Sequence, residues 1–347
     1  MESTTVLRIG VLGAGGLGKA AARIIGAKQE FKLAAICDSK GIVSSSEGLE
    51  TGAVASISGD LVSGYQAAAN GGASGSSVAV ATDVEVRHCQ DPLGAMLDIA
   101  DQLDGIVIAL PNLPNEFIPN VIERFIQKKS GLVFVDVLKR TRAVDLMFKL
   151  DTQVKLSSSV VLTGCGATPG TLAAAAVLAA QSFIEVEKVD IWWGVGIANW
   201  EDYRATIRED IAHLPGYSVE KAAVMTDAEI DELLDKTNGL LELRHMEHAD
   251  DLLLKRVGVV DDLSQVEVGG VMDTRHAKKP VSTTMTLTGI TIDGKRSSHR
   301  FILGDETTMA ANVIGPALGY LKRAAWLKTR GLYGVFGCTE FLPMVVR

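Results

Sequence analysis

The chain has 347 residues, a net charge of −8 at neutral pH and a hydrophobic fraction of 47%. Its length predicts two domains, because one hydrophobic core seldom grows beyond about 250–300 residues. The acidic balance and the lack of basic blocks argue against nucleic acid and anionic membranes as partners, so a small molecule is the expected partner.

Two features of the sequence bear on its location. The longest apolar run, residues 168–183, falls short of the roughly 20 residues that cross a bilayer, and the N-terminus lacks a basic segment followed by an apolar one. The cysteines, Cys37, Cys89, Cys165 and Cys338, lack the spacing of a disulfide framework or a zinc site. We expect a cytoplasmic protein, or one of an organelle stroma if a transit peptide has been removed.

A glycine-rich turn follows the first apolar run. Residues 6–12 predict a strand, the sequence Gly13-Ala14-Gly15-Gly16-Leu17-Gly18 follows, and residues 19–25 predict a helix. In such a turn the first glycine allows a tight bend, the second lets a pyrophosphate approach the backbone, and the third lets the helix pack on the sheet. We predict cofactor contacts at Gly13, Gly15, Gly16, Leu17 and Gly18. The alternative is that these glycines only permit a tight turn.

A second apolar run, residues 33–37, ends at Asp38, where a ribose-binding acid belongs. The Asp38 carboxylate would accept hydrogen bonds from the ribose hydroxyls and repel a 2′-phosphate, although Ser39 and Lys40 stand where a phosphate would be held. The predicted cofactor is therefore NAD or NADP, with a preference for NAD, and Asp38 and Ser39 are predicted to contact it.

Strand-like and helix-like runs alternate along the rest of residues 1–165. Residues 41–82 are rich in Gly, Ser and Ala, which predicts an insertion or a loop. The later pattern predicts helices over 92–100, 116–128 and 143–156, and strands over 105–110, 132–136 and 160–163. This alternation predicts an α/β fold in which residues 1–165 form a Rossmann domain with a doubly wound parallel sheet.

Beyond residue 165 the strand-like runs alternate between apolar and polar residues. The pattern predicts a helix over 172–181 and strands over 186–193, 265–271, 281–290 and 296–303, with Gly294 in a hairpin turn. Residues 201–260 are charged and helical, with a capping box at 226–229. We predict an α+β substrate and dimerisation domain over 166–304 with a mixed or antiparallel sheet. Residues 305–347, which include a helix over 307–329, are expected to pack back onto the Rossmann domain.

Three loops follow strands of the first domain, where open parallel sheets bind their ligands: 111–115, 136–141 and 164–170. Lys139 is predicted to be catalytic, either as an anchor for a substrate carboxylate or as a general base, with Asp136 placed to orient it. The alternative is a solvated loop lysine. Further contacts are predicted for the cofactor at Leu110, Pro111 and Asn112, and for the substrate at Asn115 and Thr168.

A charged segment over 199–210 adds two substrate-binding candidates. If it is helical, Arg204 and Arg208 lie on one face and would clamp a carboxylate. The alternative is a solvated helix in which Glu201 and Asp202 neutralise both arginines. The histidines of the segment 245–248 lack the spacing of known zinc motifs, so no metal is predicted.

Several landmarks resemble the saccharopine dehydrogenase-like oxidoreductases and, more loosely, meso-diaminopimelate dehydrogenase: the strand, GAGGLG turn and helix at the start, and the segments 164–170, 193–196 with 214–216, 304–312 and 334–343. The resemblance spans nearly the whole chain. It implies a Rossmann domain, a substrate domain with a mixed sheet, and nicotinamide-dependent chemistry at a carbon bearing an amine.

The resemblance also carries individual residues. Asn312 matches the substrate-binding asparagine of the family, and Arg275 or His276 falls near a region that supplies cationic contacts. Ala167 and Thr168 stand where meso-diaminopimelate dehydrogenase has Trp and Asp, which argues against diaminopimelate as the substrate.

Together these features predict an NAD(P)-dependent dehydrogenase or reductase that transfers a hydride between nicotinamide and a small amino or imino acid. One alternative is a homoserine-dehydrogenase-like oxidoreductase that acts on an alcohol carbon. Another is a dinucleotide-binding sensor or interaction protein without catalysis. A homodimer is expected, because the second sheet offers a surface and the resembling families are commonly dimers.

Overall fold

The computed structural model describes residues 6–69, 83–111, 113–197, 200–304 and 308–347. The chain divides into two compact units. The first contains Met1–Leu138, Arg142–Gly170 and Ala310–Arg347, and the second contains Lys139–Thr141 and Thr171–Met309. Lys139 therefore belongs to the second unit, although it follows a strand of the first.

The first unit is built on a sheet of eight strands: β1 (Leu7–Leu12), β2 (Phe31–Cys37), β3 (Gly41–Ser45), β4 (Val84–His88), β5 (Gly105–Ile108), β6 (Val133–Asp136), β7 (Val160–Thr163) and β13 (Gly334–Gly337). Their order is β13-β7-β6-β5-β1-β2-β3-β4. The neighbours from β13 to β2 are parallel, whereas β3 and β4 pair antiparallel at one edge. Parallel strands are covered on both faces, which explains their nearly continuous apolar runs.

The helices of this sheet follow the βαβ pattern: α1 (Gly16–Gly26), α2 (Thr51–Ser56), α3 (Leu61–Ala69), α4 (Pro92–Asp98), α5 (Phe117–Lys128), α6 (Thr141–Lys149), α7 (Asp151–Leu156) and α13 (Met309–Thr329). Helix α5 shows why they form. Its buried residues Ile118, Val121, Ile122 and Phe125 recur every three or four positions, and the Phe125 ring meets Phe134 of β6 edge to face at 6.0 Å.

Two predictions about local structure in the first unit are wrong. Of the two alternatives for this segment, an insertion or a loop, the loop is wrong for residues 41–69: they form β3, α2 and α3, and their small residues allow close packing, since a Cβ at Gly41 would overlap the carbonyl oxygen of Arg87. The rest of that segment, 70–82, lies outside the described residues. The single helix predicted over 143–156 is divided into α6 and α7 at Leu150, and the Asp151 carboxylate that follows accepts a hydrogen bond from the backbone N–H of Val335 at 3.0 Å.

The second unit has a five-stranded mixed sheet: β8 (Phe183–Gly196), β9 (Leu240–Leu243), β10 (Val266–Asp273), β11 (Thr283–Thr291) and β12 (Arg296–Leu303). Their order is β12-β11-β8-β10-β9, with β8 and β10 parallel and the other pairs antiparallel. Its helices are α8 (Thr171–Ala180), α9 (Arg204–Ala212), α10 (Val219–Val224), α11 (Asp227–Lys236) and α12 (Asp250–Arg256).

Local predictions in this unit are confirmed at two places. Gly294 has φ of +71° in the turn between β11 and β12, and the Thr226 and Glu229 side chains form the capping box of α11. The predicted fold class, a parallel-rich Rossmann sheet with a second mixed sheet, is confirmed. No helix in the described part of the chain is long and apolar enough to cross a membrane.

The C-terminal segment completes the first unit. Tyr320 of α13 is fully buried, and its hydroxyl donates a hydrogen bond to the Cys338 carbonyl at 2.9 Å. The backbone N–H of Cys338 donates to the Thr163 carbonyl at 3.1 Å, where β13 lies beside β7. The Tyr320 hydroxyl therefore joins α13 to the edge strand of the sheet.

Replacing Tyr320 with Phe tests this connection. We expect Tyr320→Phe to lower the free energy of unfolding by about 1–2 kcal/mol, because the buried Cys338 carbonyl loses a donor. Urea unfolding followed by circular dichroism measures the change. Tyr217→Phe is the control, since the Tyr217 hydroxyl makes no hydrogen bond to a described residue, and equal losses in the two variants would contradict the account.

Candidate active site

The glycine turn follows β1 in the chain. Strands β1 and β5 are neighbours in the sheet, and the order of the parallel strands reverses between them. Gly13 has φ of +102°, and a Cβ there would overlap the Ala109 carbonyl oxygen. A Cβ at Gly18 would overlap the Gly13 carbonyl oxygen. By contrast, a Cβ at Gly15 or Gly16 would have no atom within 4 Å. The turn is tight where it packs on the sheet and open at Gly15 and Gly16.

The start of helix α1 suits an anion. The helix begins at Gly16, no side chain caps it, and its first turn has no acidic residue. The first N–H groups of a helix, here including that of Leu17, lack partners within the helix and carry its positive dipole end. With the open space at Gly15 and Gly16, these residues fit the pyrophosphate of a dinucleotide.

Asp38 lies in the hairpin turn between β2 and β3. Its Oδ1 accepts hydrogen bonds from the backbone N–H groups of Lys40 at 2.7 Å and Gly41 at 3.1 Å, and its Oδ2 accepts one from Leu61 at 2.7 Å. The carboxylate thus stabilises the turn and the start of α3. Oδ2 accepts a single hydrogen bond and so keeps a second lone pair, which leaves room for the predicted ribose contact beside the exposed Ser39.

The loop after β5 contains several predicted contacts. Leu110 is half-buried and Pro111 is exposed at the end of the strand, and Asn115 is half-buried shortly before α5. Asn112 lies outside the described residues. The contacts of these four residues with cofactor or substrate stay predictions.

Asp136 ends β6 and is fully buried. Its Oδ1 accepts hydrogen bonds from the Thr163 hydroxyl at 3.0 Å and from the backbone N–H groups of Gly164 at 2.9 Å and Leu138 at 3.0 Å. Burial raises the pKa of Asp136 to about 6, and these hydrogen bonds oppose the rise. Asp136 therefore joins the turn after β6 to the turn after β7.

The turn after β7 lies beside the start of α13. A Cβ at Gly166 would be 3.4 Å from Cγ1 of Val313 and 3.7 Å from Cβ of Val137. Thr168, half-buried, follows in this turn, and Asn312, also half-buried, precedes Val313. The structure therefore places the two predicted substrate residues Thr168 and Asn312 in adjacent segments of the first unit.

Lys139, in the second unit, stands beside two carboxylates of helix α9. Its Nζ lies 3.3 Å from Oε2 of Glu209 and 3.9 Å from Oδ1 of Asp210. Arg140 donates from Nε to Oε1 of Glu209 at 3.0 Å. The Lys139 side chain is 26% exposed, whereas that of Asp210 is only 3% exposed. Lys139 is thus a partly exposed amine held by acids, not a fully solvated lysine.

The carboxylate of Asp210 is buried in the protein interior. Burial raises its pKa to about 6, the negative charge of Glu209 adds to the rise, and the positive charges of Lys139, His213 and His248 oppose it. At neutral pH a buried carboxylate therefore stands 3.9 Å from the Lys139 ammonium group.

The segment before α12 holds the backbone of Lys139. The backbone N–H of Ala249 donates to the Lys139 carbonyl at 2.7 Å, and the Thr141 hydroxyl donates to Oδ1 of Asp251 at 2.9 Å. Next to Ala249, Nδ1 of His248 lies 2.7 Å from Oδ2 of Asp250, and both side chains are buried. Among the residues described here, no group of three or more His, Cys, Asp or Glu side chains is arranged to hold a metal.

Sequence reasoning missed Glu209 and Asp210 as members of this cluster. It selected Arg204 and Arg208 from the same helix because of their charge and spacing. The signal that could have identified the cluster was the position of Asp210. This acid lies on the same buried face of α9 as Ile207 and Ile211. An acid in an apolar helix stripe is rarely buried without a partner.

The two arginines of α9 share one carboxylate. Arg204 and Arg208 each place a guanidinium nitrogen 3.0 Å from an oxygen of Asp227, the first residue of α11. Arg204 also lies over the Trp200 ring, 5.5 Å from its centroid. The predicted one-sided clamp is thus present, and a residue of this chain occupies it. Its contact with a substrate stays a prediction.

Alanine substitutions separate the two sides of the glycine turn. We expect Gly18→Ala to lower the free energy of unfolding by about 1–3 kcal/mol, because its methyl group overlaps the Gly13 carbonyl. Gly16→Ala, the matched control in open space, should change it by less than about 0.5 kcal/mol. Thermal and urea unfolding measure both, and a Gly18→Ala variant as stable as wild type would contradict the described turn.

Stability as a function of pH tests the buried charge of Asp210. Its native pKa of about 6 lies above the ordinary value of 3.8, so the folded state binds this proton more tightly and loses stability as pH rises from 3.8 through 6. Asp210→Asn avoids that loss. Relative to wild type it should gain up to about 3 kcal/mol between acid and neutral pH in urea unfolding. A relative loss at neutral pH would contradict the assignment.

Comparisons with known proteins give one full-length relative. No family model matches the chain. The (S)-8-amino-7-oxononanoate synthase BioU of Haloferax mediterranei is 41% identical over 349 residues, which cover 97% of this chain and 99% of that protein. Because that relative is named a synthase, the prediction of an NAD(P)-dependent dehydrogenase or reductase is wrong. The motifs behind it indicate a fold, and enzymes of different reaction classes share one fold.

Solved structures are similar in fold. The DAP dehydrogenase of C. glutamicum in complex with DAP has a TM-score of 0.56 at 16% identity, covering 99% of this chain and 95% of the other. The apo saccharopine dehydrogenase (L-Glu forming) of Saccharomyces cerevisiae has a TM-score of 0.55 at 11% identity, covering 96% and 94%. The predicted resemblance to these dehydrogenases is confirmed for the fold.

Proposed function

The chain belongs to the family of (S)-8-amino-7-oxononanoate synthase BioU, and on that premise we propose that it is a synthase that forms (S)-8-amino-7-oxononanoate. The observation that carries the proposal is an identity of 41% that extends over 97% of this chain and 99% of the relative. Both units therefore have counterparts in the relative. The compound is an amino-oxo acid, which agrees with the predicted class of small amino or imino acids.

The proposed cofactor is NAD or NADP, held at the glycine turn. The support is the open space at Gly15 and Gly16, the uncapped start of α1 and the tight packing at Gly13 and Gly18. Bound nicotinamide supplies or accepts a hydride. Asp38 would contact the adenosine ribose and favour NAD, as its charge repels a 2′-phosphate.

The charges of the second unit suit a molecule with a carboxylate, a ketone and an amino group. Glu209 and Asp210 next to Lys139 would repel a substrate carboxylate, so of the two predicted roles of Lys139 we propose acid–base catalysis. Arg204 and Arg208 would receive the carboxylate in exchange for Asp227, whose pairing with them is exposed to water. The remaining proposed substrate contacts are Asn115, Thr168 and Asn312.

A homodimer is part of the proposal. Strand β12 forms an edge of the second sheet, and its residues from Arg296 to Ile302 are all exposed. An exposed edge strand presents unpaired backbone N–H and C=O groups that can pair with a strand of another chain. Contact of β12 with a second copy would cover it.

The proposed reaction is tested by product formation. Purified protein is incubated with NADH or NADPH and a small-molecule cell extract, and (S)-8-amino-7-oxononanoate is measured by chiral chromatography with mass spectrometry. We expect formation by wild type and a loss of about 100-fold or more in Lys139→Ala, because the acid–base group is gone. Binding of NADH, followed by its fluorescence, should be unchanged in that variant.

The matched control is Lys188→Ala, which removes a lysine of the same unit that pairs with Asp190 and Glu267 on the second sheet. It should form the product at the wild-type rate. Product formation by Lys139→Ala at that rate would contradict the role of Lys139. The absence of product with wild type would contradict the proposed synthase.

A further inference from the structure

The acids beside Lys139 are not equivalent. Glu209 has a second cation, because Oε1 accepts a hydrogen bond from Nε of Arg140 at 3.0 Å. The carboxylate of Asp210 has the Lys139 ammonium group at 3.9 Å and accepts no hydrogen bond from the described part of the chain. Asp210 is therefore the acid whose charge depends most on Lys139.

We propose that Asp210 is a positioning residue for Lys139. As a carboxylate, Asp210 holds the Lys139 ammonium group against α9. When the Asp210 carboxylate accepts a proton from that ammonium group, Lys139 is released as a neutral amine. This inference rests on the proposed acid–base role of Lys139. One proton moves from Nζ to a carboxylate oxygen, so that an ion pair becomes a neutral amine and a neutral acid. Charge and atoms balance without another reactant.

The surroundings of Asp210 favour this exchange when water leaves the site. Burial of an ion pair costs hydration free energy, which only a contact of good geometry between the two charges offsets. Burial of the neutral pair costs little hydration free energy. The contact of 3.9 Å is longer than a hydrogen bond, so the pair is not held in its charged form by close geometry. A ligand that covers the partly exposed Lys139 would thus promote the proton transfer.

The other charged groups that act on Asp210 come from α9 and from the segment before α12. They are Glu209, His213 and His248. Nδ1 of His213 lies 2.9 Å from the Glu209 carbonyl, and Nδ1 of His248 lies 2.7 Å from Asp250. One nitrogen of each ring thus has another partner, and among the described residues Lys139 is the cation that lies within 4.0 Å of the Asp210 carboxylate.

The experiment measures the amine of Lys139 directly. Free protein is reductively methylated with formaldehyde and a borohydride, and the labelling rate of each lysine is followed by peptide mass spectrometry. Reductive methylation requires the neutral amine. At about pH 8 we expect Lys139 to react about fivefold faster in Asp210→Asn than in wild type, because its ammonium form loses a counter-charge. Asp210→Glu should restore a rate within about twofold of wild type.

The matched control is Asp145→Asn, which removes the carboxylate beside Lys149. Both side chains of that pair are exposed, so the labelling of Lys149 should change by less than about twofold. The pH profile separates charge from structure. The ratio of Lys139 rates, Asp210→Asn over wild type, should fall toward one below about pH 6, where Asp210 is protonated in wild type as well.

Two results would overturn the proposal. One is an unchanged Lys139 labelling rate in Asp210→Asn at about pH 8. The other is an acceleration that persists at the same ratio in acid, which a mere opening of the structure would produce. Labelling needs no turnover, so it gives a clear answer even if the protein forms no (S)-8-amino-7-oxononanoate. Failure of the proposed function and failure of this inference are thus distinguished.

Discussion

The close approach of the Gly13 carbonyl oxygen to Gly18 constrains the turn between β1 and α1, on which the candidate site of the first unit depends. Neither this contact nor that of Gly13 with the Ala109 carbonyl leaves room for a side chain. The contacts bring the loops after β1 and β5 side by side and set the direction in which α1 leaves the sheet. No side chain caps the helix that begins there, and a Cβ at Gly15 or Gly16 would have no atom within 4 Å. The same close packing that shapes the turn is therefore part of the proposed phosphate site.

In the second unit the candidate site is formed by charged side chains. Asp136 and Lys139 are close in sequence, yet they belong to different compact units and have different hydrogen-bond and ion-pair partners, so that the orientation of Lys139 by Asp136 stays a prediction. The buried Asp136 carboxylate joins two turns of the Rossmann sheet through three hydrogen bonds to its Oδ1. Lys139 instead meets Glu209 and Asp210 of α9, with its backbone held by Ala249. Three peptide bonds therefore separate Asp136, whose hydrogen bonds join two turns, from Lys139, the candidate catalytic residue.

Sequence patterns were sufficient where a single element determines its own structure. The apolar runs of β5, β6 and β7, the capping box of α11 and the turn at Gly294 are such cases, since each depends on local residues. Patterns were insufficient where the structure depends on residues that are distant in the sequence. Strands β9 and β13 have four residues each and exist through pairing with β10 and β7. Asp210 lies beside Lys139 only after the chain has folded. Its pairing with Lys139 therefore could not be predicted from its position in a charged helix. The glycine motif indicated a dinucleotide but carried no information on the reaction class.

The central claim is that the turn at Gly15 and Gly16 binds a dinucleotide. A crystal structure of the protein soaked with NADH or NADPH tests it most directly. The account expects density for the pyrophosphate within hydrogen-bond distance of the backbone N–H groups of Gly15, Gly16 and Leu17, at the start of α1. A dinucleotide bound elsewhere while this turn stays empty would contradict the claim.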